Sequence, residues 1–159
     1  MIRLRQKIVM TALLLGLIGT APTVMANPAA EPVSQAVQDK PFAEARVALQ
    51  ISDAAGPKQQ LVLNVASNLI KFYGADKVDV EIVAFGPGLR LLFKDNALGD
   101  QIQSLAAEGV RFSACANTIA AMSKKLGYEP ELNPEARIVP AGIVRLVQLN
   151  KAGFFVSRP

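Results

Sequence analysis

Cys115 is the only cysteine among 159 residues, and no histidine accompanies it. That pairing excludes a Ser-His-Asp or Cys-His triad within the chain, a His-ligated zinc, a multi-cysteine metal site and a CxxC redox pair. Chemistry is left to one thiol, to carboxylates, amines and hydroxyls, and to backbone dipoles. The thiol follows the apolar run from Val110 to Ala114 and precedes a helical period of Ile119, Met122 and Leu126. It is therefore expected at a strand-to-helix junction. Unpaired N–H groups at a helix N-terminus favour thiolate over thiol and bring a cysteine pKa from about 8.5 to roughly 3.5–7.5. Asn117 and Thr118, in the first turn, are the side chains placed to hold a sulfur anion or its donor. The same cysteine also reads as a small packed hydrophobe, with no role in chemistry. These residues call for no cofactor and no metal.

A second segment with ligand-binding potential is Gly86-Pro87-Gly88, which presents backbone N–H groups near Arg90 and Lys94. It lacks the Gly-Lys-Ser/Thr of a P-loop and the spacing of a dinucleotide fingerprint. Gly86 and Gly88 are retained as substrate-binding candidates, against the plainer reading of a strain-relieving turn. Asn64 and Asn68, at i and i+4 of a helix, read as a solvent-exposed polar face, or else as hydrogen bonding to a neighbouring loop or subunit. Lys124-Lys125 reads as a solvated helix end.

The elements that must position these residues alternate. Arg46–Ile51, Val78–Phe85, Val110–Ala114, Arg137–Val139 and Phe154–Val156 read as strands. Between them lies a helical period with Leu61, Val65 and Leu69 on one stripe and Val62, Ala66 and Ile70 beside it, ending at Gly74. Leu89 to Phe93 reads as an apolar turn. A helix with Leu98, Ile102 and Leu105 follows, with Asp95 or Asn96 as its cap, and another runs from Cys115 to Gly127. The last carries Ile143, Val144, Leu146, Val147 and Leu149. Five strands joined by crossover helices give an α/β fold, a three-layer α/β/α sandwich with a five-stranded, mainly parallel sheet. Ligands of such sheets bind at the carboxyl ends of the strands, where Ser52-Asp53, Gly86–Gly88, Cys115–Asn117 and Pro140–Gly142 fall.

The N-terminus reads differently. Arg3, Arg5 and Lys7 precede an apolar run from Ile8 to Ile18 and a small-residue site ending at Ala26. This order is that of a cleavable secretory signal over residues 1–26, with a flexible linker over 27–44 and one domain over 45–159. The expected product is periplasmic, without a membrane anchor after cleavage. Three of the 17 basic residues leave with the signal, so 14 remain against 13 acidic ones. No basic stripe is left to bind a nucleic acid backbone.

Three segments together resemble the DsrE/DsrF-like family. They are Val80–Leu89, Gly109–Thr118 (with Cys-Ala-Asn-Thr after a Gly-Val-Arg-Phe strand) and Ile138–Val144. The resemblance spans Ala45 to Pro159 and is nearest to the exported branch of that family. It implies strand order 4-3-2-1-5 and a homo-oligomer, a trimer or hexamer. It also implies that Cys115 matches a cysteine that carries a persulfide between sulfur donor and acceptor proteins. Arg90, Lys94 or Arg111 would assist by folding towards the sulfur. The expected function is that of a sulfur carrier or sulfurtransferase acting with partner proteins or small sulfur anions. The alternative is a non-catalytic oligomeric module that binds a small anion or a protein around a merely packed cysteine.

Overall fold

A computed structural model describes residues 40–159; the expected signal peptide lies outside them, as does most of the expected linker. Five strands are present: β1 (Ala45–Ile51), β2 (Val78–Ala84), β3 (Arg111–Cys115), β4 (Ala136–Val139) and β5 (Phe155–Ser157). Four α-helices connect them: α1 (Gly56–Tyr73), α2 (Gly99–Ala107), α3 (Ala116–Leu126) and α4 (Gly142–Lys151). All strand pairs are parallel, in the order β4-β3-β2-β1-β5. This is the three-layer α/β/α sandwich expected, and the strand order agrees with the one the resemblance implies.

Parallel strands need both faces covered, and here the two coverings differ in kind. Val47, Leu49 and Ile51 of β1 point to one face with Val80, Ile82 and Ala84 of β2 and Phe112 and Ala114 of β3. They pack there against Val62, Leu63, Ala66 and Ile70 of α1, Ile102 and Leu105 of α2 and Ile119 of α3. The stripe of α1 is therefore Val62, Ala66 and Ile70 together with Leu63, whereas Leu61, expected on it, is 40% exposed. Val65 and Leu69 lie at its margin. Among the described residues α4 is the only helix on the other face, where Leu146 and Leu149 meet Ala48, Val83 and Phe154.

That second face carries charge. Asp79 and Glu81 alternate with the apolar residues of β2 and are fully buried. Arg111 Nη1 donates to Asp79 Oδ1 at 2.6 Å, and its Nε donates to Glu81 Oε2 at 3.1 Å. The Arg111 guanidinium also sits 5.8 Å from the centre of the Phe154 ring. A second guanidinium, from Arg145 of α4, reaches Glu81 at 2.7 Å, so two carboxyl groups face two cations.

Local readings changed in three places. The stretch from Gly86 to Leu92 is a 3-10 helix rather than a turn from Leu89. Asn96 does not cap α2, which has Leu98 at its N-cap without a side-chain bond. Instead its Oδ1 accepts from Leu98 N–H and its Nδ2 donates to the Arg90 carbonyl, closing the loop onto the 3-10 helix. Residues 40–44, read as the end of a linker, are tied to the domain. Lys40 Nζ donates to the carbonyls of Ala75 and Val78, and Glu44 pairs with Lys77.

Candidate functional site

Cys115 is the last residue of β3 and the N-cap of α3. Parallel pairing sets it opposite Val139 of β4. The chain beyond β4 then turns at Pro140-Ala141 into α4, so the first turns of two helices meet at one sulfur. Backbone N–H groups of Asn117 and Thr118 from α3 and of Gly142 from α4, with the Thr118 hydroxyl, lie near enough to favour its anion. Burial pushes the thiol pKa up, and these donors more than offset it. The thiol is held below its ordinary value, as oriented dipoles favour an anion at helix N-termini.

Two glycines shape this arrangement, each by what it leaves out. A side chain on Gly142 would place its Cβ 2.6 Å from Cδ1 of Phe85, so only glycine lets the start of α4 close over that ring. A Cβ on Gly88 would lie 2.5 Å from the Ile51 carbonyl oxygen. Gly88 therefore lets the 3-10 helix pack closely on the end of β1. The Gly86 N–H donates to Thr118 Oγ1 at 3.0 Å, which ties the 3-10 helix to the first turn of α3. Of the expected contacts, Thr118 and Asn117 are at the thiol, and Gly86 acts through Thr118.

The basic residues expected to assist lie elsewhere. Arg111 is buried in its bonds to Asp79 and Glu81, and Lys94 pairs with Glu131 at 2.6 Å. Arg90 lines a cavity of about 340 Å³ between the 3-10 helix and α3, with Pro87, Met122 and Lys125. The polar pair on α1 is used in part: Asn64 Oδ1 accepts from Gln60 at 2.9 Å and from Gln101 of α2 at 3.4 Å. Lys124 and Lys125 are exposed at the end of α3, as expected.

Cys115 keeps 5% of its surface exposed. Exposed Asn117 and Pro140 stand over it, bridged by an Asn117 N–H to Pro140 carbonyl bond of 3.4 Å. The sulfur thus lies at the carboxyl edge of the sheet, nearly closed off from solvent and beside two helix N-termini. This can stabilise a sulfur-centred anion without a metal ion or a general base.

No protein-family model matches the chain, and no curated protein does. Among solved structures the fold is similar to MTH1491, a protein of unknown function from Methanobacterium thermoautotrophicum. The two share 26% identity with a TM-score of 0.66, over 73% of this chain and all of the other.

Proposed function

We propose that the protein is a sulfur carrier of the DsrE/DsrF-like kind, with Cys115 as the sulfur-bearing residue. One observation carries the reading: the sole thiol ends β3 at the N-terminus of α3, paired with the residue that leads into α4, where backbone dipoles lower its pKa. In the first step the Cys115 thiolate attacks the sulfane sulfur of a donor such as thiosulfate. The S–S bond of the donor breaks, sulfite leaves with the bonding pair, and Cys115 becomes a persulfide anion. In the second, an acceptor thiolate attacks the outer sulfur and Cys115 departs as thiolate. Both steps conserve charge and need no oxidant. The helix N-termini beside the thiolate also suit the persulfide, whose charge extends one atom further out.

Intact mass spectrometry after incubation with thiosulfate or polysulfide tests this. The expected result is a single-sulfur adduct that is lost on treatment with a small thiol and absent from Cys115→Ser. No adduct, or one that persists in Cys115→Ser, overturns the reading and favours the non-catalytic binding module, for which the burial of Cys115 speaks. The proposal includes export: the order of residues 1–26 supports a periplasmic product processed after Ala26. It also includes self-association through α4, whose outward face is apolar.

A further inference from the structure

The charged cluster beneath α4 has a part that the sulfur chemistry does not use. Arg145, in the first turn of α4, reaches the fully buried carboxylate of Glu81 with both arms of its guanidinium. Nε donates to Oε1 at 2.7 Å and Nη2 to Oε2 at 2.8 Å. Glu81 is itself immobilised in the central strand, because Ser113 Oγ donates to it at 2.7 Å and Arg111 Nε at 3.1 Å. A two-point fork fixes direction as well as distance. Arg145 lies one helical turn after Gly142, and its own N–H closes that turn on the Ala141 carbonyl at 3.0 Å. Gly142 has no side chain with which to anchor itself, and Phe85 limits its approach from one side only.

We propose that Arg145 is a positioning residue: its fork on Glu81 clamps the first turn of α4 to the sheet and so keeps the N-terminus of α4 beside Cys115. The inference rests on the sulfur-carrier reading for its purpose, but its geometry stands without it. Several charged side chains share the sheet face on which Cys115 lies: Arg46 of β1, Asp79 and Glu81 of β2, Arg111 of β3 and Arg137 of β4, with Arg145 reaching it from α4. A simple loss of positive charge therefore has to be separated from a loss of aim.

Two variants make the separation. Arg145→Lys keeps the charge but not the fork, and Arg145→Met keeps the apolar stem but loses both. The rate of Cys115 alkylation is measured across pH in each, with circular dichroism and thermal melting on the same samples. With aim as the cause, both variants retain the fold. Both also slow alkylation about three- to tenfold at mildly acidic pH, where the thiolate fraction limits the rate, and converge on wild type at alkaline pH. Wild-type behaviour of Arg145→Lys beside a slow Arg145→Met assigns the effect to charge and overturns the clamp. Unchanged profiles in both overturn it as well. Should Arg145→Met not fold, Arg145→Lys alone decides, since a wild-type profile there is incompatible with the proposal. Persulfide loading of wild type is scored separately. Its absence removes the carrier reading while leaving the clamp intact, and a normal adduct with unchanged profiles does the reverse.

Discussion

The hydroxyl of Thr118 accepts the Gly86 N–H at 3.0 Å and keeps one hydrogen to give. Its presence beside Cys115 lowers the thiol pKa, which assigns that hydrogen to the sulfur as the testable reading. A hydrogen bond to a charged group contributes about 1.5–3 kcal/mol, and 1.4 kcal/mol is a factor of ten in thiolate population. Thr118→Val, which keeps the shape, is therefore expected to slow alkylation at mildly acidic pH by roughly tenfold. Thr118→Ser stays near wild type. The sign follows from the depressed thiol: in wild type the rate falls only as pH drops through the lowered pKa, and in Thr118→Val the fall begins at higher pH. A stopped-flow pH series with a small alkylating agent checks it; equal profiles for the valine and wild-type proteins would show that the hydroxyl is not aimed at the sulfur. Cys115, Asn117 and Thr118 were legible from the sequence because a strand followed by a capped helical period is a local pattern. Gly142 was legible only as part of the same carboxyl edge; that it stands beside Cys115 follows from the pairing of Cys115 with Val139, and register between distant strands leaves no mark on local spacing.

Elements, too, were legible where their pattern was apolar and obscure where charge intervened. The strands and helices follow the alternation of Val/Ile-rich runs with helical periods, and Gly127 stops α3 in the left-handed conformation that its position suggested. Asp79 and Glu81 are different. In an alternating strand they would ordinarily mark a solvent face, yet β2 is central and wholly buried, because Arg111 and Arg145 lie too far along the chain to be foreseen as their partners. Burial raises the Glu81 pKa, but the bonds from Arg145, Ser113 and Arg111 outweigh it and hold the carboxyl below its usual value. Glu81 thus stabilises the fold above its unfolded pKa, and this is lost as pH falls through the lower folded value. Asp79 is shifted the other way, mainly by burial; its contribution is present below its unfolded pKa and fades as pH rises through the folded one. Glu81→Gln leaves two guanidinium groups facing a neutral amide. It is expected to cost about 3–5 kcal/mol in denaturant unfolding at neutral pH, with a difference from wild type that narrows on acidification. A constant difference down the acid limb would mean that Glu81 is not ionised in the folded protein.

At the scale of the whole molecule the telling feature is α4, which is apolar on two opposite sides. Leu146 and Leu149 face the sheet, while Ile143, Val144 and Val147 point outward with 61%, 50% and 48% of their surface exposed. A surface helix is normally polar on its outer side, and one that is hydrophobic around its circumference is covered by something. Self-association by this face would bury the stripe and bring a second copy next to the first turn of α4, the turn that carries both the Gly142 amide and the Arg145 fork. Val147→Asp leaves the sheet-facing residues untouched, so it tests assembly apart from folding. Wild type is expected to run as an oligomer by light scattering coupled to size exclusion, and Val147→Asp as a monomer with an unchanged circular dichroism spectrum. Its melting temperature should lose any dependence on protein concentration. A monomeric wild type at all concentrations, or a variant of undiminished mass, would reassign the stripe to a different partner. If Cys115 alkylation in the monomeric variant keeps the wild-type pH profile, the surroundings that ionise the thiol are complete within one chain, and assembly governs which donors and acceptors reach the sulfur rather than how it is ionised.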